Sequence, residues 1–287
     1  MHNKTRTGFT LLELSIVILV IAGMVVAITS SKEVLKKSRL ASARSLTQQS
    51  VVHNLSDDLI AWYETSLESS FLADEQKNDG LKITKWFDNN KNLNQKNTAT
   101  IPANVANQPT YISRAFYDAI PGVRFDGDDY MDFDGSKLIK SSYSIFIVEQ
   151  RRSNKTNNWF ISGSSVTPNS NLVLGYRYTN ASTQAHYYND IDIALPSYST
   201  PISALHTFIY NNNIGKKYIF SSLSYKTSNS DNSSGQLNPL TSFNNPKIGN
   251  SYIGDLAEII IFKRSLKTEE VNAIRNYLGS KYGIPVS

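Results

Sequence analysis

The chain of 287 residues contains no cysteine. Structural disulfides and metal sites built on thiolates are therefore excluded. Histidine is scarce as well, and His53, His186 and His206 do not have the short sequence spacing of a histidine metal site. A folded part of this size must accordingly be held together by an apolar core.

A strong excess of charge is also missing. The formal net charge is +5, and no run of basic residues is interleaved with aromatic ones. Nucleic-acid binding is therefore not predicted. A hydrophobic fraction of 40% with 11% aromatics is typical of a globular protein rather than of a disordered or multi-span membrane chain.

The sequence has a single long apolar run, from Phe9 to Ile28. As a helix it would be about 30 Å long, which matches the hydrocarbon core of a bilayer. The basic residues Lys4 and Arg6 precede the run. The pattern predicts a single-pass membrane helix whose N-terminus is cytoplasmic.

The start of this run contains the motif Gly8-Phe9-Thr10-Leu11-Leu12-Glu13. The motif resembles the cleavage and methylation site of type IV pilins and of type II secretion pseudopilins. The resemblance implies a leader over residues 1–8, cleavage after Gly8 and N-methylation of Phe9 by a prepilin peptidase. It also implies other pilin subunits and the inner-membrane assembly machinery as partners, with an inner-membrane prepilin and then an extracellular pilus filament as locations.

The resemblance also implies a physical reason for Glu13 in an otherwise apolar helix. A carboxylate in an apolar helix is costly, so it indicates a function. Cleavage would leave a positive amine on Phe9, and Glu13 of a neighbouring subunit would neutralise it. Paired buried charges are far less costly than lone ones, so subunits would assemble where amine and carboxylate meet.

One continuous helix is expected over residues 9–54, because no proline interrupts the sequence and its second half is amphipathic. Beyond it the sequence changes to short strands separated by Asn, Ser, Asp, Gly and Pro. About a dozen such strands predict a two-sheet sandwich. Thr268 is expected to cap a short C-terminal helix that Gly283 ends.

Four stretches of residues 57–287 carry a second resemblance, to the concanavalin-like, laminin-G-like jelly-roll domains of bacterial surface proteins. They are Leu59–Tyr63 with Trp86–Asp88, Val123–Tyr130, Gly254–Phe262 and the C-terminal helix. The fold class expected for the whole chain is thus a long N-terminal α-helix, membrane-embedded in its first half, followed by an all-β jelly-roll head with a short C-terminal helix. Domains of this kind bind glycans or proteins in some members and are scaffolds in others.

No catalytic residues are predicted. The paired acids of glucanases with this fold follow a Glu-x-Asp-x-x-Glu pattern, which is absent, and Asp255 and Glu258 lie three positions apart, on opposite faces of a strand. The chain is therefore not expected to be an enzyme.

Two kinds of ligand are considered for the head. Clustered aspartates beside glycines suit calcium, and the alternative is a hairpin turn at Asp126-Gly127 with solvated acids. Exposed aromatic rings can stack on sugars, although such rings also fill cores. The candidate calcium ligands are Asp126, Asp128, Asp129, Asp132 and Asp134, and the candidate glycan contacts are Trp159, Tyr176, Tyr178, Tyr187 and Tyr188.

The sequence thus predicts a subunit of a type IV pilus-like filament that assembles through its helix and displays the head for adhesion. The alternative is a minor pilin or pseudopilin of a secretion or DNA-uptake system whose head binds a glycan or a surface protein. The motif is common to all these systems. The head is larger than that of ordinary pilins and lacks their cysteine pair, which leaves the major-subunit role open.

Overall fold

The computed structural model describes residues 11–91, 96–101, 105–187, 190–224, 226–229 and 237–286. Gly8 and Phe9 of the motif lie outside the described residues. Helix α1 spans Leu11–Gln48 and so contains Glu13. It ends earlier than expected because Ser50 begins a separate 3-10 helix, Val51–Asp58, where its hydroxyl accepts a hydrogen bond from the backbone of Val52.

The membrane prediction is wrong for this structure. No helix within the described residues is both long enough and apolar enough to cross a membrane. The expectation of a single-pass inner-membrane location is therefore wrong.

The rest of the described chain is a sandwich of two eight-stranded antiparallel sheets, as the strand pattern predicted. The first sheet has the order β14-β13-β12-β7-β16-β5-β4, and β1 pairs with β16 beside β5. Its strands are β1 (Leu59–Glu64), β4 (Thr110–Phe116), β5 (Ile120–Asp126), β7 (Tyr143–Arg151), β12 (Ile202–Asn211), β13 (Lys216–Ser221), β14 (Ser228–Asn229) and β16 (Ile253–Phe262).

The second sheet has the order β11-β10-β9-β8-β15-β6-β3-β2. Its strands are β2 (Lys85–Trp86), β3 (Ala99–Thr100), β6 (Met131–Asp132), β8 (Asn158–Ser162), β9 (Val173–Tyr178), β10 (Ala181–Ala185), β11 (Asp190–Ala194) and β15 (Lys247–Ile248).

Apolar residues are buried in two layers. The larger core fills the space between the sheets and includes Trp86, Phe160 and Ile259. The smaller core lies on the other face of the first sheet, where α2 (Thr268–Tyr282) and the end of α1 cover it. The first sheet is therefore buried on both faces, and we call it the covered sheet. The second sheet, called the open sheet, carries partly exposed side chains on its outer face.

Helix α2 forms much as its sequence predicts. Val271, Ile274 and Leu278 are buried at spacings of three and four, and each contributes about 1.5–3 kcal/mol. Gly283 ends the helix with φ of 59°. The N-cap is Lys267 rather than Thr268, because the backbone nitrogen of Lys267 donates to the Glu270 carboxylate at 2.8 Å.

A buried ionic cluster joins both helices to the covered sheet. The Lys281 ammonium donates to Glu258 at 2.8 Å, to Glu64 at 3.0 Å and to the Thr47 hydroxyl at 2.7 Å. Burial alone would raise the pKa of Glu64, but the attraction of Lys281 and several hydrogen bonds hold that pKa below its usual value. The cluster therefore attaches the end of α1 to the sandwich.

Candidate functional site on the open sheet

The outer face of the open sheet contains a cleft of about 490 Å³. Strands β8 to β11 and the loop after β8 form it. Its lining combines two aromatic rings with amide and charged side chains, chiefly Trp159, Asn171, Arg177, Tyr187, Asp190 and Asn250.

Backbone geometry sets the position of Trp159. This residue pairs with Gly175 of β9, and the β8–β9 register shifts just beyond it. Gly175 has φ of 150°, and a Cβ at that position would lie 2.4 Å from the carbonyl oxygen of Asn158. Only glycine permits this close approach of the two strands beside the indole.

Asparagine side chains stabilise the loop at the edge of the cleft. The amide of Asn171 accepts from the Gly163 nitrogen at 2.7 Å and donates to the Gly163 and Ser165 carbonyls. Asn250 donates to the Ser162 hydroxyl at 3.2 Å. These bonds preform the cleft, because they do not depend on a ligand.

A charged pair also lines the cleft. The Arg177 guanidinium donates to Asp190 and lies 3.9 Å from Asp192. Both members of the Arg177–Asp190 pair are about one-quarter exposed. A concave surface with apolar rings and a few fixed polar groups can orient a polyhydroxylated ligand. The pattern of the sequence singled out neither Arg177 nor Asp190, because they become neighbours only through the pairing of β9, β10 and β11.

Only part of the aromatic prediction agrees with the cleft. Trp159 and Tyr187 line it. Tyr178 is 56% exposed but lies outside the cleft lining, and Tyr188 lies outside the described residues.

The proposed glycan contact at Tyr176 is wrong. Tyr176 points into the core, where its hydroxyl donates to Glu149 at 2.6 Å. Its pKa is raised well above the usual value, chiefly because it is buried. Tyr252 donates to the other oxygen of the same carboxylate, and His206 Nε2 lies 3.3 Å from the oxygen that Tyr176 contacts. This network therefore links the two sheets.

The five aspartates predicted as calcium ligands fall into two groups. Asp126, Asp128 and Asp129 each place a carboxylate oxygen within 4.8 Å of the others, so they could hold a metal ion. Asp129 is buried, and one of its oxygens makes no hydrogen bond, although the Lys82 ammonium lies 3.9 Å away. Burial and the nearby Asp126 charge raise the pKa of Asp129 to about 7.

Asp132 and Asp134 do not belong to that group. They line a separate polar cleft with Lys96, Asn97 and Lys137. The five candidate calcium ligands therefore do not come together as one ligand set. The reason is that β6 begins at Met131 and carries Asp132 onto the open sheet, away from the loop after β5.

The two acids considered for catalysis are each paired inside the protein. Arg124 donates to both oxygens of Asp255, at 2.6 and 2.9 Å, and Glu258 belongs to the buried ionic cluster. Both side chains are fully buried. These contacts are structural ones.

Comparisons with known proteins give similarity at the level of fold. No protein-family model matches the chain. No curated protein matches it. Among solved structures, it is similar to a GH54 α-L-arabinofuranosidase soaked with a cyclic sulfate inhibitor, with a TM-score of 0.55, 12% identity, and coverage of 80% of this chain and 64% of that chain.

A mutant of a GH54 α-L-arabinofuranosidase soaked with 4-nitrophenyl α-L-arabinofuranoside gives a TM-score of 0.57 at 13% identity, with the same coverage. The chain thus spans less than two thirds of the length of these enzymes. At such low identity the likeness shows a common β-sandwich fold and nothing about activity.

Proposed function

We propose that the chain is a filament subunit that assembles through α1 and displays the sandwich as a glycan-binding head, without enzymatic activity. We also assign the head to the jelly-roll class of the concanavalin-like domains. The N-terminal motif supports processing by a prepilin peptidase, with cleavage after Gly8 and methylation of Phe9.

The exposed apolar surface of α1 carries the assembly part of the proposal. Its side chains are between 46% and 75% exposed, and six of them occupy the consecutive positions from Ile16 to Ile21, so they face every direction around the helix. They are Leu14, Ile16, Val17, Ile18, Leu19, Val20, Ile21, Met24 and Val25. A helix that is apolar all round is normally buried, and the same helix in neighbouring copies supplies a matching surface.

The first experiment scores the N-terminal peptide of this protein by mass spectrometry in filaments sheared from the native host. We expect a peptide that begins at methylated Phe9. High abundance supports a major subunit, and trace abundance supports the alternative of a minor pilin or pseudopilin. Absence from filaments, with Met1 to Gly8 still attached, would overturn the proposal.

Assembly through α1 is tested by placing charged residues on its apolar surface. The double substitution Ile18→Asp with Ile21→Asp should abolish self-association in analytical ultracentrifugation, because buried unpaired carboxylates are costly. Lys32→Asp is the matched control, since Lys32 is already polar and exposed on the same helix. Equal self-association of the unaltered chain, the double variant and Lys32→Asp would contradict the role of α1.

The cleft supports the glycan part of the proposal. The full chain is tested on an array of immobilised glycans, and binding is compared for Trp159→Ala, Tyr187→Ala and Tyr178→Ala. The first two should weaken binding about tenfold, because an aromatic contact contributes about 1–1.5 kcal/mol. Tyr178→Ala should leave it unchanged, since this ring lies outside the cleft. No binding by the unaltered chain would remove the glycan function.

A further inference from the structure

The cleft lined by Trp159 shares a lining residue with a second cleft, which in turn shares lining residues with a third. Ser164 lines both the first cleft and the second, which also includes Asn245 and Lys247. Asp132 and Phe133 line both the second cleft and the polar cleft of Lys96 and Lys137. The three clefts therefore join end to end.

Strand register confirms that this line crosses the sheet. Lys247 of β15 pairs with Ser162 on one side and with Asp132 on the other, and Asp132 pairs with Thr100 of β3. Directly paired residues in neighbouring strands project from the same face of a sheet. The lining residues thus form a row perpendicular to the strands.

The row is much longer than one sugar ring. From β11 to β3 it passes over seven adjacent strands, and at about 4.8 Å per step this gives about 29 Å. Its chemistry also changes along that length. The β8–β11 end carries the rings of Trp159 and Tyr187. The β6–β3 end is polar and carries charges of both signs, Lys96 and Lys137 beside Asp132 and Asp134, together with Asn97.

We propose that the three clefts are one groove that binds an extended linear oligosaccharide, with a terminal unit against Trp159 and Tyr187 and the following units over Lys247 toward Lys96 and Lys137. This inference rests on the proposed glycan function. The Lys247 ammonium lies 3.3 Å from the centre of the Tyr130 ring, which holds its aliphatic stem beside the groove. Polar groups along the row supply a separate hydrogen-bonding position for each unit.

The test measures affinity against chain length by isothermal titration calorimetry. The probes are xylo-oligosaccharides as a neutral series and oligogalacturonides as an anionic series, each with two to eight units, and the full chain is used. In at least one series the Kd should fall tenfold or more between the disaccharide and the hexasaccharide. Equal affinity for these two lengths would overturn the groove while leaving the glycan function of the first cleft intact.

Variants separate the two ends of the groove. Lys247→Gln and Lys137→Gln should weaken hexasaccharide binding about tenfold and leave disaccharide binding unchanged, whereas Trp159→Ala should weaken both. Lys137 is exposed, so its variant keeps the test valid if Lys247→Gln disturbs folding. Lys263→Gln, directly after β16 of the covered sheet and near Asp58, is the control and should have no effect.

The remaining outcomes are also decisive. If the glycan array is positive but neither series binds, or if the lysine variants weaken the disaccharide and hexasaccharide alike, the extended groove is wrong. A negative array overturns the proposed glycan function itself. Binding of an extended peptide in place of every oligosaccharide would assign the groove to a protein partner and contradict the inference.

Discussion

Single residues decide whether the loop after β5 is a metal site. The Asp126 charge contributes to raising the pKa values of Asp128 and Asp129. For Asp128 the main cause is a side-chain hydrogen bond with Asp126, followed by the Asp126 charge, and for Asp129 it is burial followed by the Asp126 charge. The pKa of Asp126 itself is lowered, because hydrogen bonds with Asp128 and Asp129 outweigh the effect of its partial burial. A divalent cation would relieve the repulsion and satisfy the Asp129 oxygen that makes no hydrogen bond.

We therefore predict calcium binding at this loop. Calcium at about one hundred times its Kd should stabilise the fold by about 2.7 kcal/mol, seen as a higher Tm. Asp129→Asn should remove the effect, and Asp134→Asn should keep it because Asp134 lies in another cleft. A calcium-dependent Tm that persists in Asp129→Asn would show that the ion binds elsewhere.

A second residue, Lys217, makes stability depend on pH. Burial lowers its pKa from 10.5 to about 7, although Asp190 opposes that effect in part. Between these two pH values the unfolded chain keeps a proton that folded Lys217 has lost. The free energy of unfolding gains from this group as pH rises through that window, at most about 1.4 kcal/mol per pH unit.

The substitution Lys217→Met should remove this dependence. Urea unfolding at pH 7 and at pH 9.5 should show the unaltered chain gaining stability relative to Lys217→Met. The neighbouring Lys216→Met is the control and should follow the unaltered chain, because Lys216 is only partly buried. If the free energy of unfolding changed with pH in parallel for the unaltered chain and both variants, Lys217 would be charged inside the fold.

At the scale of elements, the buried ionic cluster connects α1, α2 and the covered sheet. Lys281→Met leaves Glu64 and Glu258 buried without their counter-ion. We expect a loss of about 3–5 kcal/mol in urea unfolding, the usual cost of breaking a buried pair on one side. Lys267→Met at the exposed start of α2 should cost less than about 0.5 kcal/mol. A small loss for Lys281→Met would mean that water reaches the cluster.

Elements differ in how well their sequence predicts them. Strands β1, β7 and β16 and helix α2 were predictable, because their apolar residues follow a clear strand or helix pattern. Strands β4, β10 and β11 were not predicted. The sequence of β10 is Ala-Ser-Thr-Gln-Ala, and it is a strand because β9 and β11 satisfy its backbone on both sides.

At the scale of the whole molecule, the exposed apolar part of α1 and the contacts between α1 and the head lie at different places along the helix. The first residues of α1 with ion pairs to the head are Glu33 and Lys36, and Ala43 and Thr47 are buried against it. The exposed apolar positions from Leu14 to Val25 precede these contacts. Within the described residues, the exposed apolar surface of α1 and its contacts with the head therefore lie on separate parts of the helix.

We predict that a chain beginning at Ser31 keeps the fold of the head and loses self-association. Its Tm should lie within a few degrees of that of the full chain, because the side chains described before Ser31 are all exposed. Differential scanning calorimetry and ultracentrifugation measure the two properties. A large fall in Tm would show that residues before Ser31 stabilise the head, and retained self-association would place the contact on the sandwich.

By itself the sequence determined the sandwich class, the C-terminal helix and the exclusion of disulfides, since these depend on local pattern and composition. Tertiary structure alone decided which aromatic rings line the cleft and which aspartates meet. Tyr176 and Trp159 lie on similar short strands, but one ring is buried at Glu149 and the other faces the cleft. Local alternation shows that successive side chains face opposite sides, whereas long-range register decides which side is the core.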